Sequence, residues 1–406
     1  MKSEARFPDH DEQTKEDRLR VLFACNSLAY FCAHRTNLVE SLVKDGHEIW
    51  VCAAAEPGYL AEMPDGVRVV PVDLNQHRFS LFSDMKLVKA YLSLTRAVRP
   101  DIVHAITMKP NLYFATALAL SSYRDRKQPR LIMTFPGLGK IFEPGAEVLN
   151  AARRWIVCTA LSFASMRLDH FATFENPHDQ ETLVTLGLFV RENTRALMGA
   201  GIDFKQFHPD GSKSANGPLR FLFASRMLKA KGVETYIQAA KSLAESGSYS
   251  SFAIAGAMDN SNPDAFDIAE FAAAGKLHPV VYLGAVDAGD MPKILGASDI
   301  VCLPTQLSEG FPRILLEAAA CGCAMIASDQ PAIRQIVIPG RTGWLIDPNS
   351  QKSLSDAMRL AEQSPQNTRA VGAEAARYVQ SIKADNESIS AGFTQIYEAP
   401  DRRLPL

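Results

Sequence analysis

The sequence predicts an α/β protein made of two doubly wound parallel sheets, one after the other, facing across a cleft. Three observations predict this. From residue 18 onward, short apolar runs alternate with amphipathic segments. The runs are apolar throughout rather than at every second position, as in strands covered on both faces. The alternation pauses between Gly199 and Pro218, a stretch rich in Gly, Pro, Ser and Asn, and then restarts. Two Rossmann-like domains follow, and ligands in such sheets bind beyond the carboxyl ends of the strands.

In the first half, Val21-Leu22-Phe23-Ala24 reads as a strand, and a helix from about Arg35 to Lys44 ends at Gly46. Strands follow at residues 49–52 and 67–70. A long helix over 83–98 is stopped by Pro100. Further strands are read at 102–104, 131–133 and 170–173. In the second half, strands are read at 219–224, 251–255, 280–283, 300–303 and 324–327, with a helix at 233–244 after the first of them. The predicted division is a tail over 1–17, a first Rossmann-like domain over 18–200, a second over 201–385, and a final helical segment over 386–406.

At 406 residues the chain can bury two sizeable cores. Its net charge of -2 offers no global attraction for nucleic acid. The seven Cys are scattered without metal-type spacing, and Cys321 and Cys323 read as packing residues. No run approaches the roughly 20 apolar residues that span a bilayer. The segment from Trp155 to Met166, between Arg153-Arg154 and Arg167, is too short. The first 17 residues are charged and contain Pro, which reads as a disordered tail rather than a secretory signal. The expected setting is the reducing cytoplasm.

The stretch richest in chemistry is Ser308-Glu309-Gly310-Phe311-Pro312-Arg313-Ile314-Leu315-Leu316-Glu317-Ala318. Pro304 and Gly310 force a loop after the strand at 300–303, and Pro312 suits a first helical turn. The free N–H groups of Gly310 and Phe311 suit oxygens of a polar or anionic ligand. Glu309 and Glu317 can accept hydrogen bonds from sugar hydroxyls. A second element, Arg226-Met227-Leu228-Lys229-Ala230-Lys231-Gly232-Val233, sets cations between a strand and a helix N-terminus, where a diphosphate gains from both.

Here the sequence resembles the family 4 glycosyltransferases, whose signature is two Glu separated by seven residues with Gly-Phe-Pro after the first. Ala319-Ala320-Cys321-Gly322, Ser328-Asp329 and Gly340-Arg341-Thr342-Gly343-Trp344-Leu345 are also similar to that family. The resemblance implies the GT-B architecture and a retaining hexosyltransferase, with 18–200 binding the acceptor, 201–385 binding the donor, and 386–406 packing back on the first domain. Glu317 would bind the nucleotide ribose, Glu309 the donor sugar, and Arg226 and Lys231 the donor diphosphate. The region of Leu283 would hold the base against backbone groups. The acceptor hydroxyl would attack from the face the diphosphate leaves, with no protein nucleophile. It implies no cofactor and no metal, since the two cations replace one.

Within the first half, Thr134-Phe135-Pro136-Gly137-Leu138-Gly139-Lys140 resembles a loop of lipid-linked sugar and capsule transferases. Gly137 and Gly139 would let backbone approach the ligand. Phe174-Glu175-Asn176-Pro177-His178-Asp179 is similar to the same subgroup. The usual Gly-rich loop after the first strand is replaced by Asn26-Ser27-Leu28-Ala29-Tyr30. His104 keeps one of two His found in many relatives, while Ile106 stands at the other. Arg35, and Lys109 and Asn111 in a Lys-Pro-Asn turn, are candidates for the cleft; so is His104, although its place in an apolar run reads first as that of a packed core residue. Basic residues outnumber acidic ones from Lys86 to Arg167, which suits an anionic membrane or the diphosphate of a polyprenyl-linked acceptor. The expected enzyme moves a sugar from a UDP-sugar to such an acceptor, for a capsule, exopolysaccharide or lipopolysaccharide, at the inner face of a bacterial plasma membrane. A nucleotide-sugar epimerase of the same shape, or a non-catalytic partner in polysaccharide assembly, stay open. A nicotinamide dehydrogenase is disfavoured, because no Gly-x-Gly-x-x-Gly joins a first strand to its helix.

Overall fold

The computed structural model describes residues 18–54, 58–74, 81–121, 128–139, 141–142, 148–211, 213, 216–259 and 262–399. The tail over 1–17 and Lys140 lie outside these, as do Arg124, Arg126 and Lys127 of the basic stretch.

The first half contains β1 (Arg20–Ser27), α1 (Leu28–Lys44), β2 (Glu48–Ala54), β3 (Arg68–Pro71), α2 (Leu81–Val98), β4 (Ile102–Ile106), α3 (Met108–Leu120), β5 (Arg130–Phe135), α4 (Val148–Arg167), β6 (His170–Phe174), α5 (Pro177–Thr185) and β7 (Thr194–Ala196). Its strands pair in the order β3-β2-β1-β4-β5-β6-β7, all parallel. The second half contains β8 (Arg220–Ala224), α6 (Val233–Glu245), β9 (Ser251–Ala255), α7 (Ile268–Ala273), β10 (Val280–Tyr282), α8 (Met291–Gly296), β11 (Ile300–Leu303), α9 (Arg313–Ala320), β12 (Ala324–Ser328), β13 (Gly343–Ile346), α10 (Gln351–Gln363), α11 (Pro365–Ser381) and α12 (Asn386–Glu398). Its order is β10-β9-β8-β11-β12-β13, again all parallel. Each sheet reverses its direction of winding once, between β1 and β4 and between β8 and β11. Those two points open crevices at the carboxyl ends of the strands.

Each sheet is covered on both faces, which is why its strands are apolar at consecutive positions. In the first, Leu22 and Ala24 of β1 pack toward the side of α2, α3 and α4, while Val21 and Phe23 pack toward α1 and α12. In the second, Leu222 and Ala224 face α9 and α11, while Phe221 and Phe223 face α6 and α10. The last helix therefore leaves the second half and closes the core of the first, through Ile389, Phe393, Ile396 and Tyr397. Arg130, at the start of β5, donates from Nη1 to the carbonyls of Ile396 and Ala399, both at 2.8 Å, and so ties down the end of α12.

Two segments differ from the sequence reading. The stretch Ser27-Leu28-Ala29-Tyr30, read as a loop, is the N-cap and first turn of α1: Ser27 Oγ accepts from the Tyr30 N–H at 3.1 Å. Lys109, Pro110 and Asn111, read as a turn, open α3, where a Pro in the first turn has no helical partner to lose.

Candidate active site

The candidate site sits at the crevice of the second sheet. Strand β8 ends at Ala224 and leads through Arg226 to a short 3-10 turn, Lys229–Lys231, before α6. Strand β11, hydrogen-bonded beside β8, leads through Thr305 and Glu309 to α9. The two loops are stitched together: the Gln306 N–H donates to the Ala230 carbonyl at 2.7 Å. Gly232 makes this approach possible. It has φ 82, and a Cβ there would lie 2.1 Å from the Pro304 carbonyl oxygen.

Lys231 Nζ donates to Glu309 Oε1 at 2.6 Å, with both side chains mostly buried. Thr305 Oγ1 donates to the same oxygen at 2.8 Å. Gln330, after β12, braces the loop: its Oε1 accepts from the Glu309 N–H at 3.1 Å and its Nε2 donates to the Thr305 carbonyl at 3.1 Å. Arg226 is more exposed and lies 3.2 Å from Asp259. Both cations therefore carry carboxylate partners that a diphosphate would share or displace. Glu317 lies on α9, where Arg313 Nε donates to its Oε1 at 2.8 Å. Burial raises the Glu317 carboxyl above its usual range, and Arg313 opposes that shift.

The site faces the first half across a narrow gap. A Cβ on Gly310 would fall 1.3 Å from the Pro136 carbonyl oxygen, and one on Gly137 would lie 3.2 Å from the Gly310 Cα. Asn176 Nδ2 donates to the Gly310 carbonyl at 2.9 Å. Arg313 Nη1 donates to the carbonyl of Ala33 on α1. Phe311 is buried against Gly199, and Pro312 is the N-cap residue of α9. Gly139 has φ +65 with no atom near its Cβ position. Leu283 is partly exposed, its N–H given to the Ile254 carbonyl at 2.8 Å.

Four cleft candidates from the sequence are placed differently. Arg35 does not open a helix; it lies inside α1, buried, with Nη2 2.7 Å from Glu175 Oε1 beneath the cleft. His104 is fully buried, its Nδ1 2.6 Å from Tyr397 Oη and its Nε2 2.6 Å from Thr134 Oγ1. Asn111 is also fully buried and donates to the Thr134 carbonyl at 2.9 Å. Lys109 is buried in the first turn of α3, where desolvation lowers its pKa and the Asp84 charge opposes this. Arg35, Lys109 and Asn111 serve the interior because the helices that carry them start earlier than the sequence pattern suggests, whereas His104 is buried in the middle of β4. Arg130 leaves the basic face for the same interior, beside Asp169 at 3.6 Å.

Sequence reasoning did not single out Arg313 or Gln330. Gln330 carries no local signal, since its partners lie on another loop, whereas the i,i+4 spacing of Arg313 and Glu317 on α9 was a signal that could have found Arg313. Asn176 stood within a quoted motif, and its reach to Gly310 spans 134 residues of chain.

Residues 33–174 match the glycosyl transferase 4-like domain, and residues 204–378 match glycosyl transferases group 1. The chain carries the paired domains of a glycosyltransferase. The transferase is 24% identical over 393 residues to N,N'-diacetylbacillosaminyl-diphospho-undecaprenol alpha-1,3-N-acetylgalactosaminyltransferase of Campylobacter jejuni, covering 94% of this chain and 98% of that one. It is 25% identical over 404 residues to glycogen synthase of Mycobacterium tuberculosis, covering 92% and 93%. Among solved structures, sucrose-phosphate synthase from Thermosynechococcus elongatus superposes with a TM-score of 0.74 at 19% identity, covering 94% of this chain and 98% of that one. Anabaena Alr3699/HepE in complex with UDP and glucose gives 0.71 at 17% identity, covering 94% and 100%. The fold of the transferase is GT-B.

Proposed function

We propose that the transferase moves a hexose or N-acetylhexosamine from a UDP-sugar to a lipid-linked saccharide, with retention of configuration and without a metal. The observation that carries this reading is the Lys231–Glu309 contact of 2.6 Å, made where the loops after β8 and β11 meet and face Gly137 of the other domain. Lys231 and Arg226 are placed to neutralise a departing diphosphate, a role that electrostatic preorganisation makes effective in a closed site. Glu309, oriented by Thr305 and Lys231, can accept from a donor-sugar hydroxyl. Glu317, oriented by Arg313, can accept from the ribose. In this reading no side chain attacks the sugar. The acceptor hydroxyl attacks on the face the diphosphate leaves, a phosphate oxygen takes its proton, and orientation supplies much of the rate.

The lipid-linked acceptor is supported by the Gly137–Gly139 loop at the cleft and by likeness to the Campylobacter jejuni transferase, which is named for a diphospho-undecaprenol-linked sugar. Such an acceptor places the enzyme at a membrane surface, on the cytoplasmic side where nucleotide sugars are held. The test is donor binding and turnover in Lys231→Ala and Glu317→Ala, with UDP-sugars in a calorimeter and labelled UDP-sugars added to membranes. Both variants should keep the fold and bind UDP-sugar at least about tenfold more weakly, the loss of one charge-assisted hydrogen bond. Affinity equal to that of the unaltered protein in both would overturn the assignment.

A further inference from the structure

We propose that the outer face of α4 is the surface by which the protein docks on an anionic lipid bilayer. The helix is apolar on two opposite sides. Val157, Leu161, Ala164 and Leu168, just past its end, are buried against the first sheet. Trp155, Ile156, Phe163 and Met166 project away from that core, and Trp155 is 70% and Met166 81% exposed. At the 3.6-residue period of a helix these four fall within an arc of about 100°. They form one stripe on the side opposite the buried one, not scattered single residues of the kind every surface shows.

The charges bordering the stripe identify its occupant. Arg153 and Arg167 lie along one edge and Arg154 beyond the other, and the sequence of α4 contains no Asp or Glu. Arg167 sits 5.0 Å over the ring of Phe163. An apolar strip with an interfacial Trp, edged by guanidinium groups, matches a layer of acyl chains under anionic headgroups. A protein partner of ordinary mixed charge would not need a border of one sign. Position agrees with this. Helix α4 follows β5, so its first turns begin on the side of the sheet where the Gly137 loop meets Gly310. A bilayer under α4 would therefore lie beside the mouth of the cleft. The connection to catalysis rests on the lipid-linked acceptor proposed above; the docking surface itself does not.

The test is flotation with vesicles of phosphatidylcholine alone and with 30% phosphatidylglycerol, for the unaltered protein, Trp155→Ser/Met166→Ser and Arg153→Gln/Arg154→Gln/Arg167→Gln. Circular dichroism and UDP-sugar binding serve as controls. The unaltered protein should float with the anionic vesicles, more weakly as salt is raised. The Arg variant should lose about fivefold per removed charge, and the apolar variant at least tenfold. Both variants should bind UDP-sugar as before. No flotation of the unaltered protein, or flotation of both variants equal to that of the unaltered protein, overturns the proposal. So does a dimer in sedimentation that the Trp155→Ser/Met166→Ser change dissolves, since a second copy would then cover the stripe. Failure of flotation with donor binding intact leaves the donor site standing, and loss of donor binding alone leaves the docking face standing.

Discussion

At the level of single residues, Arg35 shows how burial changes the meaning of a charge. In the sequence it is a cation that opens a helix at the cleft. In the fold it is a buried ion with one carboxylate partner, Glu175 at 2.7 Å, and a place 5.9 Å over the ring of Phe393. Burial raises the Glu175 carboxyl and the Arg35 charge pulls it back. Removing one member of such a pair leaves an uncompensated charge in the interior, at a cost of about 3–5 kcal/mol, whereas removing both can be close to neutral. Urea denaturation should therefore show Arg35→Met strongly destabilised and Arg35→Met/Glu175→Gln recovering much of the loss. If the double variant is as unstable as the single one, the pair is not what makes Arg35 necessary.

Among the elements, the link between the turn before α6 and the loop after β11 is the one on which the site depends. Gly232 stands in the left-handed region with a carbonyl where its Cβ would be. In Gly232→Ala the backbone strain alone costs about 1–3 kcal/mol, and the loop carrying Thr305 and Glu309 must move outward to admit the methyl group. Lys231 and Glu309 then separate together with the donor site. The expected outcome is a loss of stability of at least about 1 kcal/mol with UDP-sugar affinity reduced in the same variant. A variant with lower stability but unchanged affinity would show that the Pro304 contact does not position Glu309.

For the molecule as a whole, the joining of the two halves and the response to acid follow from where polar groups are buried. Gly310 touches Pro136 and Gly137, Arg313 reaches Ala33, and α12 crosses back to β1, so cleft and core are shared between halves. Inside the first core, burial holds His104 neutral well below its usual pKa of 6.5, and the Arg35 charge adds to the effect. The same cause takes His34 down to about 3. A folded-state pKa below the unfolded value means the unfolded chain binds more protons below pH 6.5. The stability due to these imidazoles is thus whole above that pH and is lost as pH falls through it. Buried Glu175 and Glu317, raised in the fold, act in the opposite direction above the ordinary carboxylate range. Comparing the protein with His104→Gln isolates one imidazole. Its contribution should fall by up to about 1.4 kcal/mol per pH unit between pH 6.5 and 5, read from denaturation midpoints. Parallel curves for the two proteins would contradict a neutral buried His104.

Much of this was readable in the chain alone. Short apolar runs that do not alternate, bounded by turn residues and spaced by helical patterns, fit strands covered on both sides, so two parallel sheets were legible, down to the bounds of β9 and β11. That Arg226 and Lys231 follow one strand end and Glu309 and Glu317 the next was legible too, whereas the contact of Lys231 with Glu309 needed the hydrogen bonding of β8 beside β11. The start of α1 and the Lys109–Asn111 turn were misread, since a cap and a Pro carry the same local signal in a loop as in a first helical turn. The place of His104 in an apolar run marked it as a core residue, but the burial of Arg35 and Asn111, and the reach of Arg313, Gln330 and Asn176, could not be read at all. Each depends on a partner far along the chain, and whether a polar side chain meets water or a counter-charge is decided by packing, when distant segments close over it and desolvation makes an unpaired group too costly to keep.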